Sequence, residues 1–197
     1  MTKIKICGIF QEASAELLNQ VQPDMAGIIL APGHRRSVGI MTAMAIRAKL
    51  DDHIPLYGVF DDQNVMDILT FYGNGLIQGA QLQDDVSEDA VTLLRDKGVP
   101  VIQTRRPEAA LRDTAADIVQ IDTSAGTGTT FDWQAVPPKP LRKKPLMLAG
   151  GLNVDNLADA IAQVQPDWVD ISSGAEVDGV KDIALMAQLV AIAHAHE

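Results

Sequence analysis

Residues 146–153 read Leu146-Met147-Leu148-Ala149-Gly150-Gly151-Leu152-Asn153. Four apolar residues run into a glycine pair, and Asn153 then stands where a helix over Val154–Gln163 can begin, with Pro166 just past its end. An apolar run without alternation suits a parallel strand covered on both faces. The stretch therefore reads as strand, turn and helix, and the rest of the chain repeats that unit.

Working outward, the same kind of run recurs at Ile4–Cys7, Met25–Leu30, Leu56–Phe60, Leu76–Leu82, Val99–Gln103, Ile118–Asp122 and Trp168–Ile171. Helical patterns fill most of the intervals. Ser14–Val21 places Leu17, Leu18 and Val21 on one face, and Met41–Leu50 and Val65–Tyr72 behave similarly. Ser87 precedes Glu88-Asp89-Ala90-Val91, a cap followed by acidic residues that the helix dipole favours. A last helix spans Ile183–Ala195. Eight strand–helix units without a linker predict an α/β fold of the (β/α)8 TIM-barrel type, in one domain over residues 1–197. A doubly wound open sheet is the competing arrangement. The chain is short for a barrel, which typically takes about 250 residues. The shortage falls after the fifth run, where roughly a dozen residues, starting Thr104-Arg105-Arg106-Pro107, separate it from the sixth, about the minimum for a crossover, so a reduced or irregular fifth helix is expected.

Composition narrows the classes. The content is 47% hydrophobic and 21% charged, as in ordinary globular enzymes. A formal net charge of −10 argues against nucleic acid, whose phosphates demand a basic face. It still allows a small anion held by helix N-termini and one or two arginines. No apolar stretch is long enough to span a bilayer, and the N-terminus has no signal-peptide pattern. With a single cysteine no internal disulfide can form, so a cytoplasmic protein is expected, with neither membrane nor nucleic acid as partner.

In such barrels the chemistry sits at the C-terminal ends of the strands. There the chain places Cys7-Gly8, Gly33-His34-Arg35-Arg36, Asp61-Asp62, Gln81 and Gln83, Asp122, Gly150-Gly151 and Ser172-Ser173-Gly174. Glycines after strands seven and eight let backbone N–H groups approach a phosphate, so Gly150, Gly151, Ser172, Ser173 and Gly174 form a candidate cup. Paired glycines also occur in ordinary turns. Cys7 reads either as a small buried hydrophobe or as a reactive thiol. Asp122 reads as a backbone-binding cap or as an acid. Together they are more informative, because strands one and six lie far apart around the barrel and their side chains can face each other across its mouth. Arg35 or Arg36 can clamp a carboxylate or stay solvated. Gly126 and Gly128 belong to a glycine-containing loop after Asp122 that lacks the dinucleotide fingerprint. Asp61 and Asp62 read better as the approach to the third helix, and His34, His53, His194 and His196 have no catalytic assignment. No histidine or cysteine spacing resembles a metal site.

These segments in this order resemble the phosphoribosylanthranilate isomerases, (β/α)8 barrels of tryptophan biosynthesis. The match runs through Lys5-Ile6-Cys7-Gly8-Ile9, Gly58-Val59-Phe60, Asp122-Thr123, Gly126-Thr127-Gly128 with Phe131-Asp132-Trp133, and Ala149-Gly150-Gly151-Leu152-Asn153. It ends with Asp170-Ile171-Ser172-Ser173-Gly174-Ala175-Glu176 and Gly179-Val180-Lys181-Asp182, so coverage is essentially full length. The resemblance implies an Amadori rearrangement of an N-ribosyl aminoaldose phosphate to the aminoketose. It implies Cys7 as general base, Asp122 as general acid, Arg36 facing the anthranilate carboxylate, and Gly151, Ser173 and Gly174 at the phosphate. It implies a small-molecule substrate and no metal or organic cofactor; a monomer or homodimer is expected. An unperturbed thiol titrates near about 8.5, so partial thiolate character of Cys7 is expected. Asp122 must donate a proton although an ordinary aspartate is ionised at neutral pH.

The chain departs from the family in two places. The usual Gln-Leu-His-Gly of strand four reads Gln81-Leu82-Gln83-Asp84, and Ala125 and Thr129 stand where glycine and lysine are common. Both changes bear on substrate affinity and loop closure. Two rival readings keep the barrel: another sugar-phosphate isomerase or epimerase, and a non-catalytic phosphate-ligand binder.

Overall fold

In the computed structural model, which describes residues 1–61, 64–83, 86–122 and 133–195, eight parallel strands pair in chain order and close into a barrel. They are β1 (Lys3–Ile6), β2 (Met25–Ile29), β3 (Leu56–Phe60), β4 (Gly79–Leu82), β5 (Val101–Arg105), β6 (Ile118–Asp122), β7 (Leu146–Ala149) and β8 (Trp168–Ile171). Closure comes from β8 lying beside β1, with Lys3 opposite Trp168 and Ile6 opposite Ile171. The open-sheet alternative is thereby excluded.

Alternation along each strand separates two cores. Ile4, Ile6, Ala26, Ile28, Leu146 and Leu148 point outward to the helices. Met25, Tyr57, Ile102, Ile118 and Met147, with Trp168 against them, fill the barrel near the strand N-termini. At that rim Asp24, Asp117 and Asp167 accept hydrogen bonds from the backbone N–H groups of Ile4, Val101 and Leu146 at 2.8, 2.8 and 2.9 Å. Those bonds satisfy strand starts and leave the opposite rim for chemistry.

The helices are α1 (Ala13–Val21), α2 (Ile40–Lys49), α3 (Val65–Gly73), α4 (Glu88–Asp96), α5 (Leu157–Val164) and α6 (Ile183–Ala195). The Ser87 side chain accepts from Ala90 N–H at 3.3 Å, as expected for a cap, and Asn64 does the same for Met66 at 2.9 Å. Two strands begin later than the sequence suggests. Leu76 and Val99 are apolar, yet each follows a left-handed glycine and donates its N–H back to the carbonyl five residues earlier. They close α3 and α4 in Schellman turns and pack into the core as helix ends rather than as strands.

The fifth helix is indeed reduced, to a single 3₁₀ turn at Pro107–Ala109. Buried Arg105 supports that connection by donating to the carbonyls of Arg112 and Asp113 at 2.7 and 3.3 Å and to Glu88 at 3.2 Å. Between β6 and β7 the described residues also contain only 3₁₀ turns, Trp133–Ala135 and Lys139–Leu141, which the sequence did not suggest.

The expected helix start at Val154 is corrected. α5 begins at Leu157, because Asn153 accepts from Asp155 N–H at 2.9 Å in a turn of its own. Asn156 then ties the loop together, accepting from Asn153 N–H at 2.9 Å and donating to the Gly151 carbonyl at 3.0 Å.

Candidate active site

Cys7 follows β1 directly and continues its ladder, donating its N–H to the Ile171 carbonyl at 2.8 Å. Its side chain shares the inward face of Lys5. Asp122 ends β6 opposite Ala149 of β7 and shares the inward face of Ile118 and Gln120. β6 is separated from β1 by β7 and β8 on one side, so both residues line the C-terminal mouth from well-separated strands.

The mouth is tightly built around Gly8, which has a left-handed φ of 73°. A side chain there would lie 2.6 Å from Arg36 Cδ and 2.9 Å from Ser172 Oγ. Glycine is thus required twice, by conformation and by contact. Arg36, half-buried, and Ser172 are brought together over this point, one residue from Cys7.

Arg36 is not an unattached loop arginine. Its Nε and one terminal nitrogen donate to the two carboxylate oxygens of Glu176 at 2.7 and 2.8 Å. Arg35 reaches the same carboxylate at 2.7 Å, and Lys181 donates to it at 3.0 Å and to the Ser172 carbonyl at 2.8 Å. Glu176 and Lys181 lie on a small hairpin, β9 (Glu176–Val177) and β10 (Val180–Lys181), that follows β8. Its turn residues Asp178 and Gly179 both have positive φ, 50° and 80°, the backbone of a type I′ turn. Burial would push the Glu176 carboxyl up, but hydrogen bonds from Arg36, Lys181 and Arg35 and the Lys181 charge hold it down at about 2.

The two glycine-bearing loops also meet. A side chain on Gly174 would overlap the Leu152 carbonyl oxygen and lie 3.0 Å from Asn153 Cα. Gly150 and Gly151 have φ of 99° and 64°. Among the described residues, none accepts a hydrogen bond from the backbone N–H groups of Gly151, Ser173 or Gly174. Ser173 is exposed and opens a 3₁₀ turn, Ser173–Ala175, directly after β8. The expected cup residues are therefore adjacent. Gly126 and Gly128, like Asp62 and Asp84, lie outside the described residues; Asp61 meets His34 at 2.7 Å.

One electrostatic expectation changes. Burial is the largest influence on Cys7 and pushes its thiol up, with Asp170 adding to it and with Lys5 and Lys181 opposing. Cys7 is 7% exposed, and its burial favours the protonated thiol more than in an unperturbed cysteine. The sequence left Glu176, Lys181, Lys5 and Asp170 without separate roles, although the Asp178-Gly179 dipeptide signals the hairpin that carries two of them.

The chain is similar to known proteins over nearly its whole length. Residues 4–191 match the family model described as N-(5'-phosphoribosyl)anthranilate (PRA) isomerase. An N-(5'-phosphoribosyl)anthranilate isomerase of Lactiplantibacillus plantarum is 36% identical over 195 residues, covering 98% of this chain and 93% of the relative. The crystal structure of phosphoribosyl anthranilate isomerase from Thermus thermophilus superposes with a TM-score of 0.85 at 29% identity, covering 100% of both chains. Another such isomerase, solved in complex with reduced 1-(o-carboxyphenylamino)-1-deoxyribulose 5-phosphate, gives 0.81 at 25% identity, over 99% of this chain and 100% of that one.

Proposed function

The chain belongs to the N-(5'-phosphoribosyl)anthranilate isomerase family, and on that premise we propose that Cys7 is its general base and Asp122 its general acid. The reaction is the isomerisation of N-(5'-phosphoribosyl)anthranilate to 1-(2-carboxyphenylamino)-1-deoxyribulose 5-phosphate in tryptophan biosynthesis. It is an aldose–ketose rearrangement of the Amadori type.

Asp122 protonates the ribose ring oxygen as the C1′–O bond breaks, and the anthranilate nitrogen supplies the electron pair that forms the iminium. Cys7, as thiolate, then removes the C2′ proton, and the electrons of that C–H bond form C1′=C2′ while the iminium pair returns to nitrogen. The resulting enolamine gains a proton at C1′ and loses one from the C2′ hydroxyl to give the ketone. Arg36 meets the anthranilate carboxylate with the edge that Glu176 leaves open. Backbone donors of Gly151, Ser173 and Gly174, with Gly150 and Ser172 beside them, hold the phosphate.

The observation that carries this reading is the joint placement of Cys7 and Asp122 on the inward face of one barrel rim, flanked by the Arg36 loop and the glycine-bearing loops. All of these residues come from one chain, so the site is complete in a monomer or in each half of a homodimer. Residues 1–197 serve as one catalytic domain, working in the cytoplasm. Among the described residues no helix is long and apolar enough to cross a membrane.

A structure of the protein with the reduced product analogue tests the assignment. The phosphate is expected against Gly151, Ser173 and Gly174 and the aryl carboxylate against Arg36. A phosphate bound elsewhere would overturn it.

A further inference from the structure

Beneath the rim lies a charged pair that no step above uses. Lys5 and Asp170 are register partners on β1 and β8, and both point into the barrel. The Lys5 ammonium is 0% exposed and donates to the two oxygens of Asp170 at 3.1 and 3.0 Å. It also lies beside Cys7: a side chain on Gly27 would meet the Cys7 sulfur at 2.8 Å and Lys5 Nζ at 3.0 Å. Gly27 keeps that space open. As a stability device such a pair is poor, because desolvating two charges offsets most of their attraction.

We propose that Lys5 is a positioning residue of the isomerisation: its ammonium, pinned by Asp170, stabilises the negative charge that the Cys7 sulfur carries as base. The inference rests on the assignment of Cys7 to that role. The surrounding charges support it. Burial would neutralise Lys5, but Asp170 and Cys7 outweigh it and raise Lys5, which remains an ammonium. Lys5 acts on the sulfur through both charge and a hydrogen bond, Asp170 of β8 opposes it, and Lys181 of β10 assists. Asp122 of β6 acts on Asp170, and Arg36 approaches from the loop after β2 across Gly8. Lys5 is thus the cation that counters the burial of Cys7 most strongly.

Cys7 is the only cysteine, so thiolate ultraviolet absorbance reports one group, with Cys7→Ser as the blank. Lys5→Met is expected to move the titration midpoint up by about one pH unit or more, the scale of losing an opposite charge at short range. Its kcat is expected to fall at neutral pH and recover toward alkaline pH, with KM little changed. Lys5→Met strands Asp170 in the barrel, so the Lys5→Met/Asp170→Asn double variant supplies a charge-neutral pair. Its midpoint is expected above that of wild type, because Lys5 acts on the sulfur more strongly than Asp170 does. A midpoint at or below the wild-type value in Lys5→Met and in the double variant overturns the proposal. Cys7→Ala turnover separates the two claims: normal turnover there removes the base assignment even where the Lys5–Cys7 coupling is measured.

Discussion

Glu176 grips Arg36 through both carboxylate oxygens, at 2.7 and 2.8 Å, so an internal carboxylate fixes the guanidinium that overhangs the barrel mouth. A bidentate pair of this kind sets orientation as well as charge. Glu176→Gln is expected to raise KM for phosphoribosylanthranilate about tenfold, the scale of one lost charge-assisted hydrogen bond, while kcat changes much less. Steady-state kinetics of the purified variant check this, and an unchanged KM would detach Glu176 from substrate binding.

The same residue carries an acid signature. Its carboxyl is held at about 2 against an ordinary 4.5, so its contribution to stability is complete above the ordinary value. That contribution disappears as pH falls from about 4.5 through about 2, because protonation breaks the contacts with Arg36, Lys181 and Arg35. The melting-temperature gap between wild type and Glu176→Gln is expected to be widest near neutrality and to close across that window. A gap independent of pH would contradict the linkage.

Gly174 is the point where the loops after β7 and β8 touch. Gly174→Ala places a methyl on the Leu152 carbonyl and is expected to cost about 1–3 kcal/mol in stability, as overpacking usually does. Competitive inhibition by inorganic phosphate is expected to weaken in parallel. Calorimetry and an inhibition titration measure the two effects, and a variant with wild-type values for both would remove this contact from the cup.

Gln120 sits in the middle layer of the barrel with its carbonyl oxygen buried and without a hydrogen-bond partner among the described residues. Desolvating that acceptor without a partner is unfavourable, so Gln120→Met is expected to leave the melting temperature unchanged or raise it. A marked fall would mean that the oxygen has a partner in solution.

Much of the barrel was legible because its strands are short apolar runs between polar flanks: Leu56–Phe60, Ile118–Asp122, Leu146–Ala149 and Trp168–Ile171 begin and end where the sequence places them. Leu76 and Val99 misled because apolarity signals burial, and a Schellman turn buries its last residue as a strand does. Asn153 misled because its side chain accepts from Asp155 N–H in a turn of its own, which delays the helix to Leu157. Cys7 and Asp122 could be picked out at strand ends, but the charges beneath them could not. A lysine within a strand reads as an exposed residue, and Asp170 lies 165 residues away from Lys5 until the barrel closes. Glu176 belongs to a recognisable motif, yet its three cationic partners come from the loop after β2 and from β10.

The division of labour between Cys7 and Asp122 is tested most directly by turnover of phosphoribosylanthranilate by Cys7→Ala and Asp122→Asn beside wild type, with melting temperatures measured on the same preparations. Both variants are expected to stay folded and to lose activity by about 100-fold or more, as general acid–base groups do. Near-wild-type turnover in either folded variant would contradict the role assigned to that residue.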